Sequence, residues 1–236
     1  MNLFTLIMYF SPRSHKSELL DQPGIPSADI TRNLYELQVI NRWLGGHAIT
    51  RKGFKALASG HQKISLCEIG CGGGDNLLTI QENTPEKKIS LNCTGIDLNP
   101  DCIQVAQTVA WKKKPQFILS DYRQVIFDEK PDILFSSLFC HHFSESQLPD
   151  MFRWMKAQSR IGFFINDLHR HPLAYYAIRI LTALFSRSYL VKNDAPLSVL
   201  RGFKRKELKV ILDKAGIPDY TITWNWAFRW LVIVPS

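Results

Sequence analysis

The 236-residue chain has no internal repeat, no low-complexity tract and no apolar run long enough for a membrane span. Its first ten residues are apolar, but they lack a basic region and fall well short of the roughly 20 residues that a span needs. We expect them to form a frayed or docked arm. A second apolar stretch, residues 173–190, is interrupted by Arg179 and Arg187. The sequence therefore predicts no membrane span.

Cysteine is scarce and badly spaced for a structural role. The five cysteines form no C-x-x-C pair, and their odd number leaves at least one unpaired. No second Cys/His pair lies at zinc-finger spacing, so we expect no metal. A chain of this kind is typical of a reducing compartment, and we expect it to be cytoplasmic.

Positive charge is in excess but is not concentrated. The formal net charge is +8, yet the basic runs are short and lie far apart, at residues 87–88, 112–114 and 204–206. Short runs of this kind usually cover solvated helix ends and turns. The charge therefore does not by itself predict a nucleic-acid partner.

What the sequence does contain is a regular alternation of helical and strand-like segments. An apolar helical stripe covers residues 29–44 and ends at Gly45-Gly46, and a second short helix is predicted over residues 51–59. From residue 64 onward, buried strands alternate with helices, which indicates parallel pairing. Predicted strands lie at residues 64–69, 90–96, 116–119, 133–138 and 161–166, with predicted helices at 75–81, 100–112, 145–158 and 204–215.

Two further strand-like runs, residues 220–226 and 230–234, predict an antiparallel hairpin at the end of the chain. The fold class is accordingly α/β, a Rossmann-like, doubly wound sheet of seven strands with this hairpin, N-terminal helices and a helical lid. We expect an N-terminal helical extension over residues 1–62, a main domain over 63–236 and a lid insertion at about 172–200.

The clearest motif is a strand that runs into a glycine-dense turn and then a helix, over Leu66–Asp75. Glycine lets a backbone take positive φ and approach a ligand closely, and the helix that follows offers free N–H groups. Dinucleotide sites prefer G-x-G-x-x-G, but Asp75 stands where the third glycine belongs. This departure counts against a dehydrogenase.

The turn Glu68-x-Gly70-x-Gly72-x-Gly74 resembles the first motif of class I S-adenosylmethionine (SAM)-dependent methyltransferases, whose loop wraps the methionine part of the cofactor. Two more strand tips follow in the family's order, at Asp97 and Asp121. An acid at the first tip can accept both ribose hydroxyls. The resemblance implies that SAM is the cofactor and that Asp121 accepts from the adenine amine. The cofactor-binding residues we expect are Glu68, Gly70, Cys71, Gly72, Gly74, Asp97, Leu98, Asp121, Tyr122 and Ser137.

The fourth strand and its extension, residues 131–143, resemble the family's segment at the junction of cofactor and substrate. The segment lacks the D/N-P-P-aromatic tetrad of amino-methylating nucleic-acid enzymes and the Pro-Cys nucleophile of cytosine C5 enzymes. Methylation of a small molecule at oxygen or carbon is favoured accordingly.

Four residues are candidates for a general base, because imidazole and carboxylate groups can take a proton from a phenol or enol. His141 and His142 follow the fourth strand, and Asp167 and His169 follow the fifth. Two alternatives stay open: the histidine pair can simply pack beneath the cofactor, and the second pair can be a solvated strand end.

A finer resemblance concerns residues 33–46, Asn166-Asp167-Leu168 and residues 203–208, which look like bacterial methyltransferases of secondary metabolism encoded beside polyketide synthases for phenolic lipids. It implies a hydrophobic phenolic or polyketide-like acceptor and O-methylation rather than C-methylation. We expect residues 175–185 and Tyr189 to roof an apolar acceptor pocket. An RNA-modifying methyltransferase and a non-catalytic cofactor-binding protein remain the alternatives.

Overall fold

The computed structural model describes Phe10 and residues 12–236, so most of the predicted N-terminal arm lies outside the described residues. Within this part of the chain, seven strands form one sheet in the order β3-β2-β1-β4-β5-β7-β6. The strands are β1 (Lys63–Ile69), β2 (Ser90–Asp97), β3 (Gln116–Leu119), β4 (Ile133–Ser137), β5 (Gly162–Leu168), β6 (Thr221–Asn225) and β7 (Arg229–Pro235).

The first five strands are parallel, and the hairpin of β6 and β7 joins β5 antiparallel, with Gly162 opposite Pro235. This confirms the predicted fold class. Because β1 to β5 run in the same direction, their carboxyl ends meet at one edge of the sheet. Gly70, Asp97 and Ser137 lie at that edge.

Eight α-helices accompany the sheet in the described residues. They are α1 (Ser27–Trp43), α2 (Gly46–Ala58), α3 (Asp75–Glu82), α4 (Pro100–Thr108), α5 (Leu148–Gln158), α6 (Pro172–Phe185), α7 (Tyr189–Arg201) and α8 (Arg205–Lys214). Apolar side chains bury themselves on both faces of the sheet. One core contains Phe152, Phe163 and Val232, and the other contains Phe54, Ile64 and Phe164.

Two helix ends differ from the prediction by four residues or more. Helix α2 begins at Gly46 rather than at residue 51, because only Leu44 and Gly45, the latter at φ 78°, separate it from α1. Helix α4 stops at Thr108 rather than at residue 112, because the backbone of Val109 is extended. There the Trp111 indole N–H donates to the Ala106 carbonyl at 2.9 Å and satisfies a group that another turn of helix would have used.

The predicted lid region consists of two helices, α6 and α7, and a side chain from α1 fixes the junction between them. The Glu36 carboxylate accepts from the backbone N–H groups of Arg187 and Ser188 at 3.0 and 3.1 Å, and from the Ser186 hydroxyl. Ser188 then caps α7 by accepting from Val191 N–H at 3.3 Å. The chain therefore breaks at residues 186–188 rather than continuing as one helix.

Candidate active site

One large cavity, of about 1170 Å³, opens at the carboxyl edge of the sheet. Its walls combine the glycine turn after β1, the tips of β2 and β4, helices α1, α6 and α7, and the N-terminal segment, defined here as residues 18–25. Pockets for drug-sized ligands usually measure about 300–1,000 Å³. The space is therefore sufficient for a cofactor together with a second small molecule.

The glycine turn forms one end of the cavity. Gly70, Gly72 and Gly74 all have positive φ, at 67°, 51° and 79°. A Cβ atom on Gly70 would lie 2.2 Å from the Phe139 ring, whereas one on Gly72 would meet only a Leu34 methyl at 3.5 Å. Gly70 is thus required by packing. Gly72 keeps the backbone open toward the cavity, and Cys71 and Gly73 line it as well.

Glu68 and Gly74 do not line the cavity. Glu68 is fully buried, and its Oε1 accepts from the Asn76 amide at 3.1 Å. Burial, reinforced by the neighbouring charge of Asp75, raises the pKa of Glu68 well above its usual value. A Cβ atom on Gly74 would lie 2.9 Å from Trp111. Both residues support the turn from outside the cavity wall, and a role in cofactor binding stays a prediction for them.

Asp97 lies at the tip of β2, directly beside the glycine turn. Its Oδ2 accepts from Gly72 N–H at 2.8 Å and its Oδ1 from Asn99 N–H at 2.9 Å. Burial raises the pKa of this carboxyl group, against the lowering effect of these bonds. Since each carboxylate oxygen can accept a second hydrogen bond, Asp97 keeps acceptor capacity toward the cavity. Leu98, which is exposed, forms part of the same wall.

Three more predicted cofactor residues line the cavity at the tips of β3 and β4. Asp121 pairs with Arg123, whose guanidinium lowers the pKa of that carboxyl group. Burial raises the pKa of Tyr122 to about 12, so this phenol is neutral. The hydroxyl of Ser137 is buried and has no hydrogen-bond partner among the described residues. Such groups in a cavity wall are natural points of contact for a ligand.

The histidine pair lies in a 3₁₀ turn, Cys140–His142, and lines the same cavity. His141 is buried between two carboxylates: its Nδ1 is 2.8 Å from Asp167 Oδ1, and its Nε2 is 3.4 Å from Glu18 Oε1. Burial alone would lower its pKa, but Asp167 and Glu18 raise the pKa of His141 to about 9. A protonated imidazole has no free lone pair, so this geometry disfavours His141 as a base.

His142 is the partly exposed member of the pair. Its Nδ1 lies 3.2 Å from Asp21 Oδ2, and its Nε2 lies 3.7 Å from Glu18 Oε2. We name the four side chains Glu18, Asp21, His141 and His142 the His–acid cluster. All four line the cavity, so the cluster places imidazole and carboxylate groups where a second ligand would meet them.

The two remaining base candidates are outside the cavity wall. Asp167 is buried and accepts from the backbone N–H groups of His141 and Leu168, at 3.2 and 2.7 Å, so it orients His141. His169 lies on the hairpin side, where its Nδ1 accepts from the Trp224 indole at 3.3 Å. Burial lowers the pKa of His169 to about 4. Neither residue has the contact with the cavity that its predicted role requires.

No motif in the sequence indicates Glu18 or Asp21 as residues of the site. Helix α7 holds their segment: the Asp194 carboxylate accepts from Leu19 and Leu20 N–H at 2.8 and 3.0 Å, and the Ser198 hydroxyl donates to Glu18 at 2.7 Å. These contacts join parts of the chain that are about 175 residues apart. No local pattern could have indicated them.

The sequence predicts the wrong side chains of α6 for the wall of the cavity. The side chains that reach the cavity are Ala174, Ala177, Ile178 and Leu181. The larger residues on which the predicted roof depended point away from it and are exposed, namely Tyr176, Ile180, Leu184 and Phe185. Tyr175 packs edge-on against Phe10 instead. The helix does border the cavity, but through two alanines and two aliphatic side chains rather than through its aromatic residues.

With this geometry established, the chain can be compared with known proteins. Residues 66–162 match the model of a family described as a methyltransferase domain. A sequence search of curated proteins finds no match. No helix among the residues that the structure describes has the length and apolar character to cross a membrane.

Among solved structures, the fold is similar to the plantazolicin methyltransferase BpumL in complex with SAH, at 15% identity and a TM-score of 0.67, covering 87% of this chain and 89% of that one. Human N-acetylserotonin methyltransferase with SAM gives 16% identity and a TM-score of 0.65, covering 99% and 66%. Magnesium protoporphyrin IX methyltransferase from Synechocystis PCC 6803 with SAM gives 12% and 0.54, covering 91% and 99%. The family match indicates a methyltransferase domain over residues 66–162, and the solved structures show that the chain shares their fold.

Proposed function

We propose that this SAM-dependent methyltransferase transfers a methyl group to the hydroxyl of a small, apolar, phenol-like acceptor. The observation that carries the proposal is the continuity of the cavity. Its glycine-turn end presents backbone and carboxylate groups, and its other end joins the His–acid cluster to the apolar inner faces of α6 and α7. A polar group with an apolar body matches that second end.

At the first end, the available groups fit SAM. We assign the cofactor's methionine part to the glycine turn at Gly70, Cys71 and Gly72, and the ribose hydroxyls to Asp97. Asp121 and Tyr122 would take the adenine, with Leu98 against the ring. The Ser137 hydroxyl, buried and unpartnered among the described residues, can hydrogen-bond a polar group of the ligand. Glu68 and Gly74 act indirectly, by holding the turn in shape.

When bound, SAM supplies a methyl group on a sulfonium that is already activated for in-line displacement. The protein's task is then to align the acceptor and exclude water. Of the four predicted bases, His142 alone combines a place in the cavity wall with an imidazole that is not enclosed by burial. We assign it as the residue that meets the acceptor hydroxyl, with Asp167 and His141 as positioning residues.

The apolar end of the cavity supports a hydrophobic acceptor. Ile178 and Val199 lie against it from α6 and α7, and Leu44 does so from the turn directly after α1. Burying one methylene contributes about 0.8 kcal/mol, close to a fourfold gain in affinity. An acceptor with an alkyl tail should therefore bind more tightly as its tail grows, until the tail fills the space.

The compartment and pathway remain proposals of the same kind. All five cysteines are free and buried, which suits a reducing environment such as the cytoplasm. An apolar phenolic acceptor would agree with a role in secondary metabolism.

The test is a methyl-transfer assay with labelled SAM and a series of alkylphenols of increasing tail length. The matching methyl ethers serve as controls, because they keep the ring carbons and lack the hydroxyl. We expect label in the phenols only, with KM falling as the tail lengthens. Label in the ethers would indicate C-methylation.

Three other outcomes would contradict the proposal. A KM that does not depend on tail length would remove the apolar acceptor. Label that appears only in added RNA would favour an RNA-modifying enzyme. SAM binding without turnover on any acceptor would favour a non-catalytic cofactor-binding protein.

A further inference from the structure

The His–acid cluster holds more ligating groups than a hydroxyl partner needs. Glu18, His141 and His142 each offer one ligand atom, and these three atoms lie within 4.8 Å of one another. Glu18 Oε1 is 3.4 Å from His141 Nε2, and Glu18 Oε2 is 3.7 Å from His142 Nε2. Around a tetrahedral cation with bonds of about 2.0–2.1 Å, neighbouring donor atoms are separated by about 3.3 Å.

The orientation of the two imidazoles supports the same interpretation. Asp167 binds Nδ1 of His141 at 2.8 Å, and Asp21 binds Nδ1 of His142 at 3.2 Å. Both Nε2 atoms are thereby turned toward Glu18. Histidines that ligate metals usually donate their other ring N–H to a carboxylate, which fixes the tautomer and the ring orientation. Both histidines of the cluster have this arrangement, and both turn Nε2 toward the carboxylate of Glu18.

The charges at the cluster also favour a cation. Three carboxylates, Glu18, Asp21 and Asp167, surround the two imidazoles. Arg201 lies 3.8 Å from Asp21, and its other nitrogens donate to the backbone carbonyls of His141 and His142. A divalent cation would displace the Nε2 proton of His141, which leaves both imidazoles neutral, and would compensate the negative charge with the hydrogen bonds to Asp21 and Asp167 still in place.

We propose that Glu18, His141 and His142 form a site for a divalent transition-metal cation of the zinc type, in the wall of the acceptor end of the cavity. Two imidazoles and one carboxylate suit Zn²⁺ and Co²⁺, whereas Mg²⁺ prefers oxygen ligands. Three protein ligands leave a fourth position open toward the cavity. The sequence could not indicate this site, because Glu18 is more than 100 residues from the histidines.

The role of the cation rests on the proposed function. The open position of the cation would bind the hydroxyl oxygen of the acceptor and lower the pKa of that hydroxyl, so that its proton leaves to solvent, as bound zinc does for water. It would then take over from His142 the task of favouring the deprotonated acceptor. Cation binding itself does not depend on methyl transfer and can be measured without SAM or acceptor.

The test is a titration of tag-free, chelator-stripped protein with Co²⁺, followed by visible absorption, with Zn²⁺ as competitor and Mg²⁺ as control. We expect one equivalent of Co²⁺ to bind with the absorption of a site of low coordination number, Zn²⁺ to displace it, and Mg²⁺ to have no effect. Glu18→Gln and His142→Asn should each weaken binding more than about 100-fold, and Asp21→Asn about 10-fold, as for loss of an outer carboxylate.

The matched control is His61→Asn, which removes an exposed histidine away from the cluster and should leave binding unchanged. Circular dichroism of each variant checks that the fold is kept. Absence of stoichiometric Co²⁺ binding, or equal binding by wild type, Glu18→Gln and His142→Asn, would overturn the proposal. Metal binding without any methyl transfer would instead contradict the proposed function and leave the site standing.

Discussion

The two ends of the cavity are built in different ways. The cofactor end is formed by residues at the tips of three strands. Gly72, Asp97 and Ser137 each lie within a few residues of the end of a strand, which determines their position. The acceptor end joins an N-terminal segment, a turn after β4 and two helices inserted after β5. The parallel sheet therefore specifies the first end locally, whereas long-range contacts determine the second.

The largest effect should come from the glycine turn itself. Gly70→Ala introduces a Cβ atom 2.2 Å from the Phe139 ring at φ 67°, so we expect overpacking and backbone strain to cost about 3 kcal/mol or more. Denaturant unfolding measures this loss in the free energy of unfolding. Gly60→Ala is the matched control, since Gly60 has φ 84° but nothing within 4 Å. Equal losses in the two variants would mean that packing at Gly70 is unimportant.

The second prediction separates the cofactor end from the acceptor end. Asp97→Asn should weaken SAM binding more than about tenfold, because a buried ribose hydroxyl without its acceptor costs about 1–3 kcal/mol. Calorimetry measures the affinity. Asp219→Asn, at an exposed carboxylate before β6, should have no effect. Unchanged affinity in a folded Asp97→Asn variant would exclude the ribose role.

The third prediction compares the two faces of α6. Ile178 is 8% exposed and lines the cavity, whereas Tyr176 is 37% exposed on the outer face. Ile178→Ala should raise the acceptor KM about fivefold, through the loss of one to two methylene contacts of about 0.8 kcal/mol each. Tyr176→Ala should leave KM unchanged. Steady-state kinetics measures both. A raised KM in Tyr176→Ala and an unchanged KM in Ile178→Ala would mean that the outer face of α6 binds the acceptor.

The smallest effect concerns His169, outside the cavity. Its pKa of about 4 in the folded protein lies below the value of about 6.5 in an unfolded chain. The unfolded chain therefore binds a proton first, and the stability falls as the pH drops from about 6.5 to 4. His169→Gln should flatten this part of the stability profile and leave kcat unchanged. A large loss of kcat would return His169 to the catalytic site.

The sequence predicts the cofactor end of the cavity better than it predicts the acceptor end. The strand order, the hairpin and the line of Gly72, Asp97 and Asp121 at one edge depend on local patterns and on parallel pairing, and the predicted fold is confirmed. The sequence predicts the wrong face of α6 for the cavity, because both faces of that helix are apolar. Periodicity alone cannot tell which face meets a cavity when Leu181 and Leu184 are equally hydrophobic.

The partners of His141 and the junction at Ser186 were unpredictable for a different reason. Glu18 reaches His141 through an N-terminal segment held by Asp194, and Glu36 fixes the turn at Ser186 from a separate helix. These are single polar contacts between distant parts of the chain. Their residue types are common in solvated turns, so nothing in the local sequence distinguishes them.

The most direct test of the division between the two ends is a crystal structure with S-adenosylhomocysteine and a long-chain alkylphenol bound together. We expect the ribose on Asp97, the phenol hydroxyl beside His142, and the tail between α1, α6 and α7 against Ile178 and Val199. A cofactor away from the glycine turn, or a tail lying on the outer face at Tyr176 and Leu184, would contradict this arrangement.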